Sequence, residues 1–473
     1  MNFDIAIIGA GVTGSGIAYE LSKFNLNIAL IDAYNAPTQG ASKANSGILH
    51  AGYDDDPALL RGQLVVRGNK LYDTWKEEIG FRLRRDGSLV VAFDDEQFAR
   101  IQEEKARGEA KGIPGLEIWD QAQLRHYEPN LNEEAIAALY APTAGVVCPM
   151  EVTNFLFRNA VSNGVIPFMD QTAMDFEKSG DELVALVTSR EKIYAKIFIN
   201  AAGVYGDMIS RKAGIDAYTI TARKGEYILL EPNEKYNVHH IIFPSPTKTS
   251  KGVLVTKAIT GDILLGPNAV DMPETEKSNN YTTHAGLEEV LEKTRKLVPT
   301  LSTKLAVKTF AGLRPQPNTN DFILEDYAKP ANFINAIGIR SPGLTAAPAI
   351  AEYVVHILER KAGPLPRKTQ YDTIKRTQFD PLARASQDPA WGKTLTPHLD
   401  SAPLPLLELA WDFGVRNQLY NFTCYADLGL GVDLGASWQN QLIQWIANKG
   451  LPMRDILYRH TGSWQIKEVK NGV

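Results

Sequence analysis

The sequence predicts an α/β fold. A Rossmann-like, parallel dinucleotide-binding domain is interleaved with a second, mostly antiparallel β domain, and a small C-terminal domain follows. Three observations carry that expectation. A βαβ pattern with a glycine fingerprint fills residues 3–32, and the strands at 218–310 alternate in polarity rather than run apolar. A proline-rich segment, Gly-Pro-Leu-Pro-Arg at 363–367, precedes a tail of different character. At 473 residues the chain exceeds what a single hydrophobic core serves.

The first element is the short apolar run Ile5-Ala6-Ile7-Ile8, which reads as a buried parallel strand. Gly9-x-Gly11-x-x-Gly14 turns it into a helix with Ile17, Ala18 and Leu21 on the buried face, and a second apolar run at 28–31 ends at Asp32. In such a unit the first glycine permits the turn, the second lets backbone approach a pyrophosphate, and the third lets helix and sheet pack closely. The helix N-terminus favours the negative charge. Asp32 stands where a carboxylate takes ribose hydroxyls, which disfavours NADP but leaves NAD and FAD open.

Residues 36–53 are small, polar and glycine-rich, suited to backbone pressed against a flat ligand. Ser42, Asn45, Ser46 and Gly47 offer hydrogen bonds to that ligand, and His50 follows among glycine and alanine as a candidate base. Residues 57–79 read as an amphipathic helix, 88–93 as a strand and 95–111 as a charged, solvated helix. Short strands are expected at 116–119, 137–140, 144–147 and 165–168, with a helix at 151–163. A strand at 197–200 delivers Ala201-Ala202-Gly203 into a turn, a second place for close passage past a dinucleotide, and Asp207 comes soon after. Strands at 227–230, 240–243, 252–257 and 262–266 and a helix at 287–298 form the substrate-covering part. Arg314, between Gly312 and Pro315, reads as an arginine held in a rigid turn and suited to bidentate anion binding. A strand at 335–339, the turn Ser341-Pro342-Gly343 and a helix at 344–358 complete this part.

Composition narrows the function. A net charge of -5 gives no support for nucleic-acid binding, and no apolar run is long enough to span a membrane. The N-terminus enters the first strand directly, leaving no room for a signal peptide. Only Cys148 and Cys424 are present, which excludes a cysteine-ligated cluster or a Cys-rich zinc site and fits a reducing cytoplasm. No metal site is expected.

Together, GAGVTGSGIAYEL, SKANSGILHAGY, INAAGVYGD, AGLRPQPNTNDF and IRSPGLTAAPAI resemble the FAD-dependent D-amino-acid-oxidase-like superfamily. Within it the chain looks most like the glycerol-3-phosphate oxidase and dehydrogenase branch, over residues 1–362. The resemblance implies the glutathione-reductase/D-amino-acid-oxidase type of fold and an extended FAD, its ring between two lobes. It implies an FAD-binding domain at 1–75, 146–222 and 328–364, a substrate domain at 76–145 and 223–327, and a C-terminal domain at 365–473. Residue by residue, His50 matches the base beside the flavin and Lys251 a lysine near the substrate. Arg314 matches the arginine for phosphate or carboxylate, and Ser341 a serine next to substrate or flavin. Gly343, Leu344 and Thr345 match the turn over the flavin edge.

The implied reaction is oxidation of a small anionic secondary alcohol, foremost sn-glycerol 3-phosphate to dihydroxyacetone phosphate. The electron acceptor is oxygen, a quinone or a partner protein, and an oligomer stays open. L-2-hydroxyglutarate, another 2-hydroxy acid or an amino acid is the alternative substrate. A non-catalytic flavin-binding protein is the alternative of another class. The tail resembles a bacterioferritin-associated-ferredoxin-like domain, but Leu395-Thr396-Pro397-His398-Leu399-Asp400 stands at its CxC-like site. That implies a degenerate, cluster-free relic.

Overall fold

In a computed structural model, residues 2–246 and 252–373 are described. Met1–Ile374 form one unit and Lys375–Val473 another, so the C-terminal expectation lies outside the described residues. The first sheet is built on β1 (Asn2–Ile8), which pairs in parallel with β2 (Ile28–Ile31) on one side and with Lys192–Asn200 on the other. Ile166–Phe168 and Phe333–Ile337 extend the parallel run at either side. Ile5, Ile7, Ile28 and Leu30 are all at most 2% exposed, the double-sided burial that a continuous apolar strand anticipates. Helix α1 (Val12–Leu21) packs against the helices Pro149–Ser162 and Gly343–Ala362, and α2 (Leu60–Ile79) packs on the latter.

The second sheet joins nine strands from residues 88–141 and 220–317. It is antiparallel except where Ile241–Pro244 lies parallel to Ser88–Ala92. Its core includes Leu89, Val91, Ile228, Val255 and Leu265. The mixed α/β architecture, one sheet parallel through its centre and one mostly antiparallel, is the one expected from the alternation of residues 218–310.

Four features depart from the sequence reading. A hairpin, Ala173–Ser179 with Glu182–Thr188, extends the first sheet; its first strand carries charge at Asp175, Glu177 and Lys178, whereas Leu183-Val184-Ala185-Leu186-Val187 is an apolar run that the sequence reading passed over. A small third sheet ties Ile48–Leu49 and Leu83–Arg84 to Gly145–Val147; its two-residue strands are too short to leave a period. Arg314 is not in a turn but inside the twelve-residue strand Ala306–Pro317, which pairs with Ile220–Leu230 throughout. Among the described residues that strand has no other strand partner, and so Pro315, which lacks an N–H, is tolerated there. Finally, the proline-rich segment 363–367 is docked on the loop between α1 and β2: Asn25 N donates to Pro366 O at 2.8 Å and Lys368 N to Lys23 O at 3.0 Å.

Asp207 holds the two sheets in register. Its carboxylate is fully buried and accepts from Lys277 Nζ at 3.0 and 3.1 Å and from Ile220 N at 3.1 Å. Lys277 sits in the loop of the antiparallel sheet and is 5% exposed. Among the described residues, removing Lys277 leaves this buried carboxylate only the more exposed Arg211 Nη1, 3.4 Å away, as a cationic partner. Lys277→Met is therefore expected to lower unfolding stability by about 1–3 kcal/mol, short of the full penalty for an unpaired buried charge. Urea unfolding checks it, and a variant with an unchanged midpoint and slope would refute the strut.

Candidate active site

The fingerprint turn is a backbone cradle. Gly9 has φ +109° with Ala201 pressed against it, since a Cβ there would lie 2.4 Å from Ala201 O. A Cβ on Gly14 would lie 1.8 Å from Gly9 O, so helix and turn meet with no room for a side chain. Gly11 is the N-cap of α1, which has no side-chain cap from that residue. The first-turn amides of a helix have no partner within it. Ser42 Oγ takes one of them, accepting from Val12 N at 2.8 Å. Asp32 accepts from Ala10 N at 2.7 Å and from Tyr34 N at 2.9 Å, which fixes the carboxylate at the end of β2. Burial pushes its pKa up while those two amides pull it down. Ala202 and Gly203 follow the central strand end beside Gly9, and Gly203 is exposed with φ +57°.

The segment 41–50 lies along this cradle. Asn45 does not offer its side chain: Nδ2 donates to Ala41 O and Ser42 O, and Oδ1 accepts from Gly47 N, so it braces its own loop. Ser46 is partly exposed and Gly47 buried.

His50 is fixed from several directions. Its N–H donates to Thr345 Oγ1 at 2.9 Å, and its carbonyl accepts from Asn69 Nδ2 at 2.9 Å. The imidazole stacks on Phe243 with centroids 5.7 Å apart and 29° between planes, and Nε2 lies 3.4 Å from Ser341 Oγ. Thr345 is fully buried in the first turn of the helix Gly343–Ala362, and Leu344 O accepts from Tyr72 OH at 2.8 Å. The structure thus brings His50, Ser341, Gly343, Leu344 and Thr345 together at one helix N-terminus.

Arg314 approaches from the second sheet. Gly312, two residues earlier on the same face, abuts Ala44: a Cβ there would lie 1.9 Å from Ala44 O. The strand also packs against the turn Gly203–Tyr205. The guanidinium lies across Gly225, and Nη2 donates to Asn268 O at 2.6 Å. Its Nε is buried without a partner among the described residues. Burial lowers the Arg314 pKa; Tyr227 and Asp271 oppose that shift and Arg223 adds to it. A half-buried, partly desolvated guanidinium is suited to an anion. Lys251 lies outside the described residues.

Several contributors escaped the sequence reading. Phe243, Asn69 and Asn268 act on His50 or Arg314 from elements distant in the chain, and the sheet topology that joins them is not a local signal. The backbone cradle, the carboxylate at Asp32 and the capping hydroxyl of Ser42 fit a dinucleotide. Among the described residues no group of acidic, His or Cys side chains could hold a metal, and no helix is long and apolar enough to cross a membrane.

Comparison with known proteins accords with this architecture. A glycerol 3-phosphate dehydrogenase of Caloramator mitchellensis is 40% identical over 79% of this chain and 77% of its own. A glycerol 3-phosphate oxidase of Mycoplasma genitalium is 32% identical over 76% of this chain and 95% of its own. The solved structure of dithionite-reduced L-α-glycerophosphate oxidase from Mycoplasma pneumoniae, with FAD bound, superposes with a TM-score of 0.75. It is 29% identical and covers 79% of this chain and 98% of that one. The family model described as FAD dependent oxidoreductase (DAO) matches residues 4–357. The chain belongs to this family of FAD-dependent oxidoreductases, and FAD is its cofactor.

Proposed function

We propose that the protein oxidises sn-glycerol 3-phosphate to dihydroxyacetone phosphate. The observations that carry this reading are His50, braced by Ser341, Thr345 and Phe243, and a half-buried arginine, Arg314, whose Nε has no partner among the described residues. An alcohol oxidase for an anionic substrate needs a base at the carbinol and a cation at the other end. The names of the relatives at 40% and 32% identity support phosphate as the anion.

Gly9, Gly11, Gly14, Asp32, Ser42, Ser46, Gly47, Ala202, Gly203, Gly343, Leu344 and Thr345 would hold FAD, which supplies a two-electron hydride acceptor when bound. His50 Nε2 takes the proton of the substrate hydroxyl, and Ser341 Oγ orients that hydroxyl toward the imidazole. Phe243 holds the ring plane and excludes water from that side. Arg314 binds the phosphate, with Lys251 as a second cation. Their spacing sets which carbon is presented for oxidation. One well-placed base supplies about 10²–10⁴-fold.

The test is a comparison of kcat/KM for sn-glycerol 3-phosphate, L-2-hydroxyglutarate, glycine and uncharged glycerol. The phosphate ester should lead, and glycerol should trail it by the contribution of the anion site. A lead for the hydroxy acid would reassign the substrate. Flavin left oxidised by all four would favour a non-catalytic flavoprotein.

A further inference from the structure

Arg314 is itself held by a chain of buried polar groups. Its Nη2 donates to Asn268 O at 2.6 Å, and the guanidinium passes over Gly225, where a Cβ would lie 2.7 Å from Nη2. The next residue of that strand is Glu226, and strand alternation turns its side chain to the opposite face. There it closes on Asn268 from both ends of the amide. Glu226 N donates to Asn268 Oδ1 at 2.8 Å, and Asn268 Nδ2 donates to Glu226 Oε2 at 3.0 Å and to Glu289 Oε2 at 3.1 Å. Glu226 is fully buried and Asn268 is 2% exposed.

The other groups around the Glu226 carboxylate are donors as well. Thr283 N donates to Oε1 at 2.6 Å and Thr283 Oγ1 to Oε2 at 3.4 Å, while Lys224 Nζ lies 3.6 Å from Oε1. The backbone N–H of Glu226 can only donate, which fixes the Asn268 amide with Oδ1 toward it and Nδ2 toward the carboxylate. A glutamine at 226 would set its own NH2 against either Asn268 Nδ2 or Thr283 N. The clamp therefore needs an acceptor at both oxygens, which a carboxylate supplies and an amide does not.

We propose that Glu226 is a positioning residue for the anion site: by clamping the Asn268 amide it fixes the carbonyl that aims Arg314. The inference rests on Arg314 being the cation that holds the anionic end of the substrate. A guanidinium free to swing across Gly225 has to be ordered when the anion binds, which weakens binding. With Nη2 anchored, the rest of the fork is presented in one direction before substrate arrives.

Glu226→Gln, which keeps the size of the side chain, is the informative substitution. It is made alone and together with Arg314→Met, and each variant is measured as FAD-loaded protein. Competitive inhibition by inorganic phosphate reads anion affinity, and steady-state rates with sn-glycerol 3-phosphate separate KM from kcat. E226Q is expected to weaken phosphate inhibition about ten-fold, the scale of one lost hydrogen bond, with the loss in turnover falling on KM rather than kcat. In the R314M background the same substitution is expected to change kcat/KM by less than about two-fold, because the group it positions is gone. A merely structural carboxylate would instead lower the melting temperature and reduce turnover by the same factor in both backgrounds.

Phosphate inhibition of E226Q equal to wild type would overturn the proposal, and so would losses that multiply in the double variant. If E226Q gives no folded holoenzyme, Asn268→Ala opens the other end of the clamp and is expected to show the same split and the same lack of additivity. Failure of both to fold would overturn the positioning role in favour of a purely structural one. R314M with unchanged phosphate inhibition would overturn the underlying reading of Arg314, a result separate from any outcome with E226Q.

Discussion

Replacing His50 with Gln is expected to leave a yellow, FAD-loaded protein whose flavin is reduced by sn-glycerol 3-phosphate about 10²–10⁴-fold more slowly. Glutamine fills much the same space and can still meet Ser341, so fold and cofactor should persist. The backbone anchors support this, since His50 N–H to Thr345 Oγ1 and Asn69 Nδ2 to His50 O do not involve the side chain. What is lost is the imidazole, a side chain that accepts a proton near neutral pH. Rapid-mixing measurement of flavin reduction under anaerobic conditions checks it, and a rate within a few-fold of wild type would remove His50 from the chemistry.

The second large effect concerns Arg314. Arg314→Met removes the cation while leaving a long apolar side chain across Gly225. The expected result is a fall of about 10²–10³-fold in kcat/KM for the phosphate ester, equivalent to about 3–4 kcal/mol of lost charge-assisted hydrogen bonding. Activity toward uncharged glycerol should change little, since that substrate never used the cation. Arg314→Lys restores charge but not the planar fork, so it should recover only part of the loss. Equal losses for charged and uncharged substrates would show that Arg314 supports the fold of the sheet and not the anion.

The cradle was legible because its constraints are local. A turn that needs φ +109° at Gly9 and contact with no side chain at Gly14 writes itself into consecutive residues. The helix starting at Gly343 was legible in the same way, from Ser-Pro-Gly before an apolar helical pattern. Arg314 was picked out as an anion-binding candidate but assigned the wrong backbone. Gly-x-x-Pro resembles a turn, and only pairing with Ile220–Leu230 draws it straight. Phe243 and Asn268 left no signal, because an apolar strand residue and a loop asparagine become site components only when the second sheet places them against His50 and Arg314. The segment 363–367 was read from its prolines, whereas the partners that dock it, Lys23 and Asn25, lie more than 300 residues earlier.

The central claim is that an imidazole and a half-buried arginine present a phosphorylated secondary alcohol to bound FAD. Anaerobic addition of sn-glycerol 3-phosphate to the yellow holoenzyme, with quantitation of the ketone formed, tests it most directly. Bleaching of the flavin with one dihydroxyacetone phosphate released per FAD reduced is the outcome expected here. Flavin that stays oxidised in the presence of saturating sn-glycerol 3-phosphate would contradict it.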